Sequence, residues 1–96
     1  MFVAFVQFPP IQAGKDAEFR DWFSGSNKEL AKHKGFISRQ LLKPREGGNY
    51  TAIVQHESYE TSLAMQNSAS HSKAHESVGS LLNGMPTPSF YDVLIG

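Results

Sequence analysis

The stretch from His71 through His75 to Leu82 (HSKAHESVGSLL) carries the densest set of reactive side chains in this sequence. At about 100° per residue, a helix places His71, Ala74, His75, Val78 and Leu82 on one side and Lys73, Glu76 and Ser80 on the other. Both histidines then occupy the apolar face, where an imidazole costs free energy unless its ring nitrogens find partners. One explanation is structural: each ring bonds a backbone carbonyl or a water at the rim. The other is functional: the pair borders a cleft and acts as a general base, a substrate hydrogen bond or a haem ligand, since imidazole exchanges a proton near neutral pH. His75, between Ala74 and Val78, stands nearer the middle of the face and ranks ahead of His71 as a catalytic group. Their i, i+4 spacing would suit two zinc ligands, but HExxH is absent and no third ligand lies near in sequence, so no metal is expected.

Other candidates are scattered along the chain. His56 closes a strand pattern and faces either the same cleft or solvent. His33, flanked by Lys32 and Lys34, reads as a charge at a helix C-terminus. Trp22, Phe23, Tyr50 and Met65 are either walls of an aromatic-binding cavity or plain core. No GxSxG elbow, P-loop or GxGxxG is present, and Gly47-Gly48 is too short to hold phosphates, so no flavin or nicotinamide is expected, and no cofactor unless His75 holds haem.

The elements that must position these residues follow from period and punctuation. Phe2–Phe8 is aromatic, β-branched and stopped by Pro9-Pro10, which predicts a strand buried on both faces. A turn around Gly14 leads into a helix from Asp16 to Lys34 with acids first, bases last and Gly35 after its end. Gly25 weakens the middle of that helix and marks a kink, a close approach or a tolerated residue. Phe36–Lys43 and Tyr50–Glu57 read as strands joined by the glycine-bearing loop Arg45–Asn49. Ser58 caps a short helix through Leu63, Ala64 and Met65; a second helical stretch covers His71 to Leu82, and Ser89–Ile95 is the last strand.

The resulting order β-α-β-β-α-β predicts an α+β, ferredoxin-like domain with helices on one face of a four-stranded antiparallel sheet. Phe2, Val6, Phe8, Ile37, Leu41, Ile53, Phe90 and Val93 are more strand-borne apolar side chains than one helical layer hides, so a homodimer joined through the bare sheet face is expected.

Composition narrows the classes. With 96 residues, 40% of them hydrophobic and 19% charged, the chain reads as one domain spanning 1–96. Nine basic and nine acidic residues cancel and interleave along the first helix, which argues against nucleic acid or an anionic membrane as partner. The chain has no cysteine, ruling out disulfides, thiolate metal sites and a cysteine nucleophile. The apolar N-terminal segment has neither the basic flank nor the length of a signal or membrane span, and a cytoplasmic protein is expected.

The sequence resembles the antibiotic biosynthesis monooxygenase type of family, whose members are small dimeric α/β-barrel proteins. The likeness runs over nearly the whole chain, through Gly14–Phe19 (GKDAEF) opening the first helix and Lys34–Ile37 (KGFI) entering the second strand. It continues through Gln40–Pro44 (QLLKP), through His56-Glu-Ser58, and through Ser68–His71 (SASH). The resemblance implies two sheets meeting in a dimer, with a cavity between sheet and helices in each subunit. It implies either a cofactor-independent monooxygenase acting with dioxygen on a small aromatic or quinol, a haem-binding or haem-degrading protein, or a binding module without chemistry. On the first, His75 or His71 is the catalytic base and Trp22, Phe23, Tyr50, His56, Met65 and Asn67 bind substrate, Asn67 matching an asparagine seen in some members. On the second, His75 matches the iron ligand, while Gln7 replaces the first-strand asparagine and Met65 or Gln66 the tryptophan of haem-degrading members.

Overall fold

Strand β1, Phe2–Gln7, is the most apolar segment of the chain and takes an interior place in the sheet. It pairs antiparallel with β3, Thr51–His56, on one side and with β4, Thr87–Asp92, on the other; β2, Phe36–Leu42, pairs outside β3. The order β2-β3-β1-β4, antiparallel throughout, is the ferredoxin-like α+β arrangement. This computed structural model describes all residues from Met1 to Gly96.

Helix α1, Asp16–Leu30, ends four residues before the predicted Lys34. Its last turn tightens into i→i−3 bonds, Lys32 N to Glu29 O at 3.3 Å and His33 N to Leu30 O at 3.2 Å, before Gly35 turns the chain at φ +83°. Helix α2, Tyr59–Gln66, carries the predicted Ser58 cap, closed into a capping box by Thr61. Helix α3, Ala69–Val78, begins at a second cap, Ser68 Oγ accepting from His71 N at 3.2 Å. It stops short of the predicted Leu82, because Gly79–Leu81 forms a 3-10 turn and Leu82 leaves the helix to bridge Ile11. None of the three helices is long and apolar enough to cross a membrane.

The register assigns the strand side chains to faces. Phe36, His56, Phe2 and Asp92 form one row, Arg39, Val54, Ala4 and Phe90 the next, and Leu41, Ala52, Val6 and Pro88 a third. These rows share the helix side, with a bulge between Phe36 and Ser38 absorbing Ile37. Most of the side chains expected to need a second copy thus lie under the helices. The open face holds Val3, Phe5, Ile53 and Tyr91 at its centre, with glutamines, serines and threonines around them. Strand β4 begins before the predicted Ser89 and includes Pro88, which an edge strand tolerates. It ends before the predicted Ile95, and Leu94 and Ile95 are 92% and 96% exposed.

Two glycines separate cleanly. A Cβ at Gly35 would overlap the Thr61 side chain at a positive φ, whereas a Cβ at Gly25 would meet nothing within 4 Å. Gly25 is a tolerated glycine in a helix interior. Gly35→Ala should cost about 1–3 kcal/mol in urea unfolding, and Gly25→Ala should gain about 1 kcal/mol.

Candidate functional site

Between sheet and helices lies a cavity of about 240 Å³. Its floor is Ala4, Val6, Ala52 and Val54 from the two inner strands, with Phe90 and Pro88 from β4. Its roof comes from all three helices: Trp22 and Leu30 of α1, Ser62, Met65 and Gln66 of α2, and His71, Ala74, His75 and Val78 of α3. No aspartate or glutamate lines it.

Of the eight side chains singled out from sequence, His71, His75, Trp22 and Met65 meet here. Trp22 is fixed by its indole N–H, which donates to Ala74 O at 2.9 Å and ties α1 to α3. His71 is half-buried and His75 exposed in the single chain, which departs from the burial expected of both. The buried stripe of α3 centres on Val78 and Ala74, so His75 falls to its rim. Neither ring forms a hydrogen bond to protein; the only side-chain cap contact at His71 is through its backbone N–H. No third histidine, cysteine, aspartate or glutamate joins them as a metal-binding group.

The other four lie elsewhere. His56 is fully buried, its Nδ1 3.1 Å from Thr61 Oγ1 and its Nε2 3.3 Å from Met65 Sδ, with Phe36 edge-on to its ring. Both nitrogens are occupied, so it is a core histidine that braces α2. Tyr50 stacks on Phe19 at 5.4 Å and sends its hydroxyl outward to Asp16 and Arg20. Phe23 is buried beneath the Arg39 guanidinium, beside the cavity rather than in it. Asn67, exposed, is the C-cap of α2. For the haem alternative, His75 reaches the cavity, Gln7 stands exposed outside its lining, and no tryptophan occupies Met65 or Gln66. The residues present do not fit that group.

Sequence reasoning overlooked Arg39. It lines the cavity from β2, its guanidinium 3.9 Å over the Phe23 ring and 5.3 Å from that of Trp22. Nη1 donates to Phe23 O, Ser26 Oγ and Asn27 Oδ1 at 3.3, 2.9 and 2.8 Å, while Asn27 Nδ2 returns a bond to Arg39 O at 3.2 Å. Burial pulls the guanidinium down to about 10, still protonated at neutral pH. The available signal was an arginine two residues before Leu41 in an apolar strand; Ile37, which continues the alternation in sequence, is taken up by the bulge and is exposed. Burial, and then the charges of His75, Arg39 and His33, hold the His71 imidazole below its ordinary range. It is therefore neutral, and competent as a base, at pH 7.

A family model described as antibiotic biosynthesis monooxygenase matches residues 1–77. The chain belongs to that family. Solved structures with the same fold include Rv0793 from Mycobacterium tuberculosis, at TM-score 0.85 and 16% identity over 99% of this chain and 96% of that one. SnoaB from Streptomyces nogalater, a cofactor-independent oxygenase, superposes at TM-score 0.83 with 18% identity, covering 99% and 95% of the two chains. A conserved protein from Methanosarcina mazei Go1 matches at 0.83 with 14% identity over 95% and 91%. Curated proteins offer no match. This antibiotic biosynthesis monooxygenase homologue thus shares its backbone with these structures at identities too low to carry their chemistry across.

Two histidines tie stability to pH. Burial foremost, with the His33 charge adding to it against Glu57, lowers His56, and His71 is lowered as above. The unfolded chain then binds more protons than the native one below about pH 6.5. Stability should be full above that value and decline as pH falls toward the native values. Urea midpoints between pH 7.5 and 5 check this, and His71→Gln should flatten part of the decline.

Proposed function

We propose that this protein is a cofactor-independent monooxygenase acting on a small aromatic or quinol substrate with dioxygen. One observation carries the reading: two imidazoles with no protein partner face an apolar cavity walled by Trp22 and Met65. A cavity of about 240 Å³ lies below the ~300–1,000 Å³ of drug-sized sites, which scales the substrate to one or two fused rings. The His71 or His75 imidazole takes the phenolic proton. The electron-rich anion left behind passes an electron to dioxygen, while the apolar walls keep water from the reacting carbon. His71 is the deeper of the two and is held neutral by its burial, and becomes the first choice for the base. Family membership and the fold shared with a cofactor-independent oxygenase support this chemistry.

The purified protein should consume oxygen with one- and two-ring quinols, and an anaerobic control should be silent. His71→Ala or His75→Ala should lower the rate about 10²–10⁴-fold, with Lys73→Ala, on the exposed side of α3, unchanged. A wild-type protein without oxygen-dependent turnover across the panel would sink the proposal.

The same reading includes a homodimer formed through the open sheet face, where Phe5 and Tyr91 pack edge to face at 5.6 Å beside half-buried Ile53. Sedimentation at micromolar concentration should give about twice the chain mass of 10.6 kDa. Ile53→Asp should shift the protein to monomer or unfold it, because an unpaired charge in that layer is heavily penalised. A compact wild-type monomer is the contrary result.

A further inference from the structure

Arg39 is a cation without a counter-ion. None of the three ion pairs in the chain includes it, and no carboxylate lines the cavity it faces. All of its hydrogen bonds leave from Nη1, so Nε and Nη2, with three N–H groups between them, meet no protein acceptor. No sealed side-chain nitrogen or oxygen lacks a partner, so these two atoms remain accessible. The Phe23 ring covers one face of the guanidinium and the α1 carbonyl, hydroxyl and amide hold Nη1. What is left is the Nε–Nη2 edge, the side-on fork that accepts two coplanar oxygens.

We propose that Arg39 is a substrate-binding residue, and that the ligand of this cavity is an aromatic carboxylate whose two oxygens bridge Nε and Nη2. The inference rests on the aromatic-substrate reading and adds a specificity to it. A phenolate offers a single oxygen and leaves half of the fork unmet; a carboxylate matches both donors. The rest of the lining holds no carboxylate, lysine or second arginine, so the ligand carries one anionic group at the Arg39 end and presents its ring to His71 and Trp22. The network that clamps Nη1 to Ser26 and Asn27 fixes the fork in advance, which spares the ligand the entropy of ordering a long side chain.

Calorimetric titration of the full chain with 1-naphthoate and with its neutral isostere 1-naphthamide tests this. Wild type should bind the acid at least about tenfold more tightly, the minimum for one charge-assisted pair. Arg39→Met should bring the two within about twofold while keeping the affinity for the amide, and Arg39→Lys, a charge without a fork, should recover part of the gap. Because Arg39 also tethers α1 to β2, the wild-type comparison stands whether or not Arg39→Met folds. Equal affinities in wild type, or a folded Arg39→Met that keeps the preference, would overturn the assignment while leaving the aromatic reading intact. If neither compound binds, the aromatic reading falls and takes the assignment with it.

Discussion

The cavity exists because the helical layer is propped at both ends of the sheet and unsupported in the middle. At one end Phe8 and Phe19 meet edge to face at 5.0 Å, with Tyr50 stacked behind. At the other, Phe2 packs against Tyr59 at 5.6 Å and Phe90 at 5.8 Å. Phe2 and Phe8 are separated by about 20 Å of extended strand, and the helix-facing residues between them are Ala4 and Val6. With Ala52 beside them, short side chains meet a roof held at aromatic height. Ten of the thirteen buried apolar residues accordingly fall into two clusters, seven around Phe19 and three around Phe2, rather than one. Close packing elsewhere is what keeps this gap from collapsing.

Everything chemical in the molecule is arranged around that gap. Trp22 and Arg39 hold the side near the larger cluster, the first by its bond to Ala74 and the second by its bonds into the middle of α1. The α3 histidines stand opposite the floor. His56, which has the same chemistry available, is spent on bracing Thr61 and Met65. One residue type thus serves two ends: where both ring nitrogens have protein partners the histidine is architecture, and where neither does it can meet a ligand.

How much of this was legible in the sequence depended on whether the signal was local. Period, caps and terminal glycines are local, and they placed all four strands and the helices to within a few residues. The convergence of His71, His75, Trp22 and Met65 was legible for the same reason, since each lies on the apolar side of its own helix. Tyr50, Phe23, Asn67 and His56 misled because aromatic or polar identity says nothing about which neighbour a side chain selects. Phe19 claims Tyr50, and Arg39 claims Phe23. The end of α3 was misplaced because Leu82 is captured by Ile11, far away in sequence. Arg39 was overlooked since a lone arginine in a strand normally reads as solvent-facing; its i, i+2 spacing to Leu41 was the contrary sign, and the bulge at Ile37 blurred the rest of the alternation.

Pro88 lies within β4, an edge strand, and has no N–H to offer. Opposite Val6 it costs the sheet nothing, but along the outer rim it interrupts the row of donors that a foreign strand would need. A short rim broken in this way is a poor template for edge-to-edge growth. Fibril-like addition is thereby hindered along the β4 border, while β2, the sheet's other edge, carries no proline.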